Sequence, residues 1–509
     1  MPIPKEDPSQ TGGNHFQTSH QATHPGWLLL KICAAALAFN AANNDWGWEA
    51  LILIYAWILY EIAKESSSRR AFYGGLAVGF LGYAGQLQFF WNIFGPGAMA
   101  LWSILAVYIG LFTITLHRVR VRWGPVVGLI AAPVLWIGWE YFRSELNYLR
   151  FTWLTLGGTL AERECLSWTM SLGSYGVGGV IMLAGATLGE LPSRYRTTAA
   201  ALVLAIGMEL SGVGTARKCD YTTEKAAVHP PTAITPEGAN NHTRSHKASI
   251  PISATNAFKI GGIQTESAME DENLAILRHT LKAHPELQVL VLSEYSFCGP
   301  IPPAVRAWAK ASQRYVIAGG KEPVGEDFEN SVYVVGPDGE VVFRQVKSVP
   351  IQFFKDGLPA REKKVWASPW GRLAFPICYD LSYTRVGDAF VAQGTQGFIV
   401  AAMDSLEWGE KAHQLNARIT RLRAAEYRLP IFRLASSGIS QCVRPDGSTL
   451  AQTPMGSELF ILASNMHLPE AGRIPWDRHF VMACSVAAWL ALGWGLCRRK
   501  VVIDPIEAT

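Results

Sequence analysis

Long apolar runs alternate with short polar stretches through the first 213 residues of this 509-residue chain. Several runs approach the roughly 20 residues that an α-helix needs to cross a hydrocarbon core of about 30 Å. The candidate spans are 27–43, 48–63, 72–93, 97–116, 124–142, 173–191, 197–213 and, far downstream, 478–496. The pattern predicts a polytopic α-helical membrane domain with eight spans in the whole chain.

Basic residues follow every second predicted span. KESSSRR (64–70), HRVRVR (117–122), SRYR (193–196) and CRRK (497–500) come after the second, fourth, sixth and eighth spans, whereas the loops after the first and third contain no Lys or Arg. Because basic loops remain in the cytoplasm, we expect both termini inside and residues 214–477 outside. A cleaved signal peptide is the alternative for the first span, but the polar stretch before it is long and weakly basic for that role.

The segment between the last two predicted spans reads as a soluble domain. Its first part is rich in Pro, Thr and Asn without periodicity, which predicts a flexible linker. Strand and helix patterns then interleave, as in a layered α/β domain. Strands are expected at 257–264, 287–294, 314–320, 331–347, 371–378, 396–402 and 430–436, helices at 269–284, 384–393 and 411–428, and PDG hairpin turns at 337–339 and 445–447.

These patterns divide the chain into six predicted parts. They are a cytoplasmic tail (1–25), a seven-span membrane domain (26–213), a linker (214–256), an α/β domain (257–475), a last span (478–497) and a second cytoplasmic tail (498–509).

Composition mainly argues against certain partners and sites. Hydrophobic residues make up 49% of the chain and charged residues only 17%, and the net charge of +4 is too small to argue for a nucleic-acid partner. The eight cysteines form no CxxC pair and no metal-ligand spacing. We therefore expect no disulfide framework, no metal site and no cofactor.

Three reactive side chains come at the ends of predicted strands. VLVLSE ends in Glu294, VVFRQVK in Lys347 and LAFPIC in Cys378. A thiol attacks as the thiolate and needs a partner that takes its proton. A carboxylate in apolar surroundings can act as that base, and a fixed ammonium can stabilise an oxyanion. Taken singly, Cys378 is more often a buried small hydrophobe and Lys347 a solvated strand end.

In the order Glu, Lys, Cys, these residues resemble the triad of the carbon–nitrogen hydrolase (nitrilase) superfamily. ENSVYVVGPDGEV (329–341) resembles its Tyr-Asn-Ser hairpin, ICYD (377–380) its nucleophile motif, and RLRAAE (421–426) and SSGIS (436–440) two later segments. With spans before and after it, the chain resembles the apolipoprotein N-acyltransferase family, and FTWLTLG (151–157) resembles that family's Phe-Pro-Trp-Leu loop, with Thr152 where proline is usual. The resemblance implies that the α/β domain is an αββα sandwich and is the catalytic domain.

The sequence departs from the family at several positions. Gln345 holds the usual spacing of the lysine, but we assign the role to Lys347 because a neutral amide supplies no charge. Phe353 replaces a second glutamate, and either Asp356 or Glu362 is a candidate substitute. Asp380 stands in for a glutamate, and the loop MDSLEW (403–408) retains Asp404 and Trp408 as supporting residues.

The resemblance implies an N-acyltransferase of the bacterial inner membrane with its catalytic domain on the periplasmic side. Glu294 would deprotonate Cys378, and Lys347 with the backbone N–H of Tyr379 would hold the oxyanion. The acyl chain would pass from a phospholipid, through a Cys thioester, to the α-amine of a diacylglyceryl apolipoprotein, with membrane lipids as further partners. The alternatives are a membrane-anchored amidase and a catalytically inactive lipoprotein-binding scaffold.

Two apolar loops, 296–303 and 350–359, are candidates for a lid that keeps water from the thioester. The second loop contains Phe353 and Phe354. Ordinary core packing of these two aromatic side chains is the alternative.

Overall fold

A computed structural model describes residues 25–44, 48–162, 169–192, 194–196, 198, 227–229, 257–266, 269–456 and 458–497. The predicted tails at 1–25 and 498–509 and the seventh span at 197–213 lie almost entirely outside the described residues. So does the predicted linker at 214–256, except for residues 227–229.

The regular elements in the described part of the N-terminal half are helices and helical turns, joined by loops. It contains α1 (Pro25–Ala42), α2 (Leu51–Ala63), α3 (Ser68–Gln86), α4 (Phe89–Phe94), α5 (Gly97–Tyr141), a π-helical turn (Phe142–Leu146), a 3₁₀ turn (Gly157–Glu162) and α6 (Thr169–Glu190). Two helical stretches, Gly97–Leu146 and Ser171–Glu190, are long and apolar enough to cross a membrane, and Gly26–Ala42, Leu51–Ala63 and Val481–Gly495 are shorter apolar helices. The figure of eight spans stays a prediction.

Two predicted features of this half are wrong in detail. The third predicted span, 72–93, is divided into α3 and α4, because the backbone leaves the helical region at Leu87 (φ −115°, ψ 33°). The basic stretch 117–122 is not a loop but continues α5, and the helix breaks instead at Gly124 (φ 89°, ψ 175°). Pro125 follows directly, and the residue before a proline is disfavoured in the helical conformation.

The C-terminal half contains thirteen described strands and five helices. The strands are β1 (Ala227–His229), β2 (Ala257–Gln264), β3 (Val289–Val291), β4 (Tyr315–Val324), β5 (Asp327–Val335), β6 (Val341–Val346), β7 (Trp366–Ser368), β8 (Gly371–Ala374), β9 (Gly397–Ala402), β10 (Ile431–Ala435), β11 (Gln441–Val443), β12 (Thr449–Gln452) and β13 (Phe460–His467). The helices are α7 (Glu270–Ala283), α8 (Pro303–Ser312), α9 (Thr384–Val391), α10 (Glu410–Tyr427) and α11 (Val481–Cys497). Short 3₁₀ turns span Cys378–Ser382, Leu406–Trp408 and Trp476–His479.

The strands form two sheets that pack face to face. Their orders are β1-β13-β2-β3-β4-β5-β6 and β12-β11-β10-β9-β8-β7, with parallel pairing of β2, β3 and β4 and of β8, β9 and β10. In β9, Ile399 and Ala401 join the core between the sheets, while Phe398 and Val400 face the helices outside. Such alternation lets one strand serve two cores. The first strand, β1, falls in the predicted linker and pairs with β13, so that part of the linker is not flexible coil.

Helices cover both outer faces, which gives the expected αββα order of layers. Apolar residues of α7 and α8 pack on the first sheet. On the second sheet, α9 and α10 belong to one apolar core that continues into the helices of the N-terminal half. The N-terminal half is therefore an extension of the α/β domain's outer layer, rather than a separate body on a tether.

Buried carboxylates reinforce this junction at the start of α6. Glu426 Oε1 accepts the N–H of Ser174 (2.6 Å), and Asp477 Oδ2 accepts those of Tyr175 (3.0 Å) and Gly176 (3.3 Å). These are N–H groups of the kind that lack partners at a helix start. The local break is made by Gly173 (φ 78°), where a side chain would collide with Asp477.

Candidate active site

The three predicted reactive residues come just after their strands, not at the last strand position. Glu294 lies three residues beyond β3, Cys378 four beyond β8, and Lys347 directly after β6. The strands β4, β5 and β6 pair antiparallel in succession, so β6 runs in the same direction as β4 and β3. Glu294 and Lys347 consequently leave the first sheet at the same edge.

At this edge, a buried ammonium group sits between two carboxylates. Lys347 Nζ is 2.9 Å from Glu294 Oε1 and 2.8 Å from Asp356 Oδ2, and the Lys347 side chain is only 1% exposed. A buried charge needs such partners. Asp356 therefore occupies the position that the sequence left open, whereas Glu362 is exposed and pairs with Lys364. Gln345 instead bonds the backbone at Glu362 and Lys364, which supports the choice of Lys347 as the cation.

Two polar residues tie these carboxylates together. Asn330 Nδ2 donates to Glu294 Oε1 (2.6 Å), and it also lies 3.1 Å from Asp356 Oδ1. Tyr295 donates its hydroxyl to Asp356 Oδ1 (2.5 Å). Sequence reasoning assigned neither residue a role, although Asn330 lies inside the quoted hairpin motif 329–341 and Tyr295 directly follows Glu294. Glu294 is thus surrounded by donors instead of the expected apolar environment.

Cys378 starts a 3₁₀ turn on the facing sheet with an unusual backbone conformation. Its φ is +50°, a left-handed value that few non-glycine residues adopt, and its side chain is 9% exposed. The Cys378 sulfur lies 3.7 Å from the carbonyl oxygen of Met403. The backbone N–H of Met403 donates to Glu294 Oε2 (2.8 Å). One backbone residue thus bridges the candidate nucleophile and the candidate base.

The electrostatics favour the thiol form of Cys378 at rest. Burial raises the pKa of Cys378 well above its usual value, the charge of Glu294 raises it further, and Lys347 acts in the opposite direction. Burial lowers the pKa of Lys347, but Glu294, Cys378 and Asp356 together raise it well above the usual value, so the ammonium is charged. The sulfur must then lose its proton to a base during the reaction.

Asp380 holds the chain that follows Lys347. Its carboxylate accepts the N–H groups of Ser348 (2.8 Å), Val349 (2.8 Å) and Ile377 (3.2 Å). Burial raises the pKa of Asp380 to about 6, and the N–H of Ser348 and the charge of Lys347 oppose that effect. The shorter aspartate therefore reaches from the nucleophile turn to the end of β6.

The other predicted supporting residues lie around the nucleophile at different depths. Asp404 belongs to the 403–408 loop, and its side chain is buried. It accepts two hydrogen bonds from Arg433 (2.7 and 2.9 Å) and one from Asn416 (3.1 Å). These bonds make it an anchor of that loop. Tyr379 and Trp408, by contrast, line the same open pocket as Cys378.

The part of this pocket that the sequence did not predict is the wall supplied by the N-terminal half. Together with the space that opens to solvent, the pocket spans about 840 Å³, and both halves of the chain contribute to its largely apolar wall. The wall is formed by Phe89, Phe90, Ile93, Phe94, Leu101, Leu149, Phe151, Trp153, Ile351, Gln352, Phe353, Phe354, Cys378, Tyr379, Trp408 and Asn416. Long-range contacts of this kind leave no periodic signal in a sequence.

The two predicted lid loops differ. Phe353 and Phe354 line the pocket with 73% and 49% of their surfaces exposed, so the alternative of core packing is wrong for them. Both rings contact Phe94 of α4, at centroid distances of 6.3 and 6.0 Å. In the other loop, Phe297 and Ile301 are buried in the core outside the first sheet, away from the pocket.

Comparisons with known proteins match both halves. The family model for the apolipoprotein N-acyltransferase N-terminal domain matches residues 33–187, and that for carbon-nitrogen hydrolase matches residues 292–471. An apolipoprotein N-acyltransferase of Geobacter metallireducens is 23% identical over 88% of this chain and 92% of its own. A second, from Ralstonia nicotianae, is 26% identical over 36% of this chain and 41% of its own.

Solved structures align with part of the chain only. A carbon-nitrogen hydrolase from Helicobacter pylori is 18% identical over 49% of this chain and 97% of its own, with a TM-score of 0.37. An amidase mutant from Nesterenkonia is 17% identical over 41% and 90%, with a TM-score of 0.35.

Removing the second partner of Lys347 should loosen the site. We expect Asp356→Asn to lower the free energy of unfolding by about 1–3 kcal/mol, because a charged hydrogen bond to the ammonium and the acceptor for Tyr295 are weakened. Thermal or denaturant unfolding in detergent measures this. Glu362→Gln is the matched control. It should change stability by less than about 0.5 kcal/mol, because the Glu362 side chain is exposed. Equal effects of the two substitutions would contradict the assignment of Asp356.

The raised pKa of Asp380 predicts a pH dependence. The pKa of Asp380 is about 6 in the folded protein, against an ordinary value of 3.8. Its contribution to stability is therefore complete below the ordinary pKa and is lost as the pH rises through the folded-state pKa. The difference is worth about 3 kcal/mol. The stability of the wild type relative to Asp380→Asn should therefore fall between about pH 4 and pH 7. Unfolding curves of both proteins across this range test it, and a constant difference would contradict it.

Proposed function

We propose that this chain, which belongs to the apolipoprotein N-acyltransferase family, moves an acyl chain from a phospholipid to the α-amine of a diacylglyceryl apolipoprotein. The observation that carries the proposal is the apolar pocket that reaches Cys378 and is walled by both halves. An acyl chain needs such a wall, whereas a small amide does not.

The first half-reaction forms a thioester. Glu294 takes the proton of Cys378, and the thiolate attacks the ester carbonyl of the phospholipid. The oxyanion is stabilised by the Lys347 ammonium and by the backbone N–H of Tyr379, which lies at the start of a 3₁₀ turn. When the C–O bond breaks, Glu294 returns the proton to the leaving oxygen, and lysophospholipid departs.

The second half-reaction forms the amide at the same atoms. The neutral α-amine of the apolipoprotein attacks the thioester carbonyl, and Glu294 takes a proton from the attacking nitrogen. The C–S bond then breaks, and the Cys378 thiolate recovers its proton from Glu294. Two half-reactions at one nucleophile imply ping-pong kinetics.

The two alternatives lack this support. An amidase acting on a small substrate would not use an apolar wall supplied by the membrane half. An inactive scaffold would not require Lys347 to be paired with both Glu294 and Asp356 beside the cysteine. We place the reaction on the periplasmic side of the bacterial inner membrane, because the basic stretches 64–70 and 117–122 belong to the opposite end of the predicted spans.

Acyl transfer through Cys378 predicts a covalent intermediate. Purified protein incubated with phospholipid carrying a labelled acyl chain should acquire a hydroxylamine-sensitive label, because hydroxylamine cleaves thioesters. Cys378→Ala should remain unlabelled. Cys298→Ala is the matched control, since this exposed cysteine lies outside the pocket, and should label like the wild type. A wild type without label would contradict the proposal, and turnover of a test amide would then favour the amidase.

A lid made by Phe353 and Phe354 predicts a change in the ratio of products. We expect Phe353→Ser with Phe354→Ser to raise hydrolysis of the thioester relative to amide formation, because water reaches the pocket more easily. Free fatty acid and amide product measure this ratio. The thermal midpoint should change little, since both rings are exposed. Trp476→Ser, at another exposed aromatic, is the control, and an unchanged ratio in the double variant would exclude the lid.

A further inference from the structure

The turn that starts at Cys378 is held by residues from outside its own sheet. Arg423 of α10 donates to the carbonyl oxygens of Leu381 (3.1 Å) and Ser382 (2.6 Å), which end the turn. Cys378 is the first residue of the turn, and its backbone has the costly left-handed φ angle. Such a conformation persists only when surrounding contacts impose it.

The membrane half supplies a contact at this point. Thr152 is 2% exposed, and its hydroxyl donates to the hydroxyl of Tyr379 (3.2 Å), the residue next to the nucleophile. The Tyr379 ring also meets Trp153 edge to face at 5.5 Å. The loop carrying both residues is fixed in turn, because Arg143 donates to the carbonyl oxygen of Trp153 (3.3 Å).

A second contact from the same half holds the element that follows the turn. Glu145, in the π-helical turn, accepts the backbone N–H of Thr384 (2.7 Å) and its hydroxyl (2.8 Å), and it pairs with Arg385 (3.1 Å). Thr384 is the first residue of α9, so a buried carboxylate caps this helix. The nucleophile turn is thereby anchored to the membrane half on both sides.

We propose that Thr152 is a positioning residue for the nucleophile: its hydroxyl, supplied by the membrane half, holds the Tyr379 side chain and, through it, the turn that places Cys378. This inference rests on the proposed function. The position carries threonine, where a proline would have no hydroxyl to donate, so the contact is a feature of this chain's own sequence. Thr152 acts through Tyr379 and touches neither the substrate nor the sulfur in this role.

A double-mutant cycle on acylation tests the proposal. Thr152→Val and Tyr379→Phe should each slow thioester formation from labelled phospholipid about three- to tenfold, the worth of one buried hydrogen bond. The double variant should be no slower than Tyr379→Phe alone, because that substitution already removes the partner of the Thr152 hydroxyl. Thr152→Ser keeps the hydroxyl and should recover most of the rate. We expect the loss in kcat rather than in KM.

The matched control is Thr115→Val. Within the part of the chain that the structure describes, this buried hydroxyl in α5 donates only to the carbonyl oxygen of Leu111 in its own helix, so acylation should match the wild type. The inference is wrong if the losses in acylation rate multiply in the double variant. It is also wrong if Thr152→Val acylates as fast as the wild type.

A wild type that takes no label would overturn the proposed function instead. In that case the same cycle is measured on alkylation of Cys378 by iodoacetamide, followed by mass spectrometry at that residue. Here the inference predicts an altered alkylation rate in Thr152→Val that Thr152→Ser restores. An unaltered rate would refute it independently of any acyl transfer.

Discussion

The buried ammonium of Lys347 is the interaction on which the geometry of the site depends. A charge that is 1% exposed requires compensation, and Glu294 and Asp356 provide it from two directions. Two carboxylates and one ammonium leave one net negative charge. In the proposed mechanism, Glu294 of this group receives the proton of the thiol, and the same ammonium stabilises the oxyanion.

Asp356 also links this charge cluster to the apolar pocket. Its Oδ2 accepts the N–H of Ile351 (2.8 Å) as well as contacting Lys347. Ile351 begins the segment that carries Phe353 and Phe354 into the pocket wall. The aspartate thus fixes the buried ammonium and the exposed aromatic loop at once.

The α/β domain was more predictable than the site because its signals are local. Alternation at 257–264 and 396–402 predicted β2 and β9 to within one residue, and the PDG turn at 337–339 predicted the β5–β6 hairpin. Strand ends also pointed to Glu294, Lys347 and Cys378. The choice between Asp356 and Glu362 was beyond sequence reasoning, because both are acidic loop residues and only the folded loop decides which one reaches Lys347.

The membrane half was less predictable for a different reason. Apolar runs indicate spans, but they do not indicate where a helix continues through a basic stretch, as α5 does at 117–122. Nor do they reveal that the loop with Thr152 turns back to Tyr379. Such a contact joins residues more than 200 positions apart and depends on the packing of both halves.

This packing also bears on why transfer can prevail over hydrolysis. The apolar core of the membrane half continues without interruption into α10 and the outer face of the second sheet. Cys378 lies at a pocket whose largely apolar wall is built from both halves, so a thioester formed in the proposed reaction would hold its acyl chain against apolar side chains. A hydrolase needs water at this carbonyl, whereas an acyltransferase must admit only an amine. In the proposed reaction, the core that the two halves share would meet that requirement better than a flexible tether.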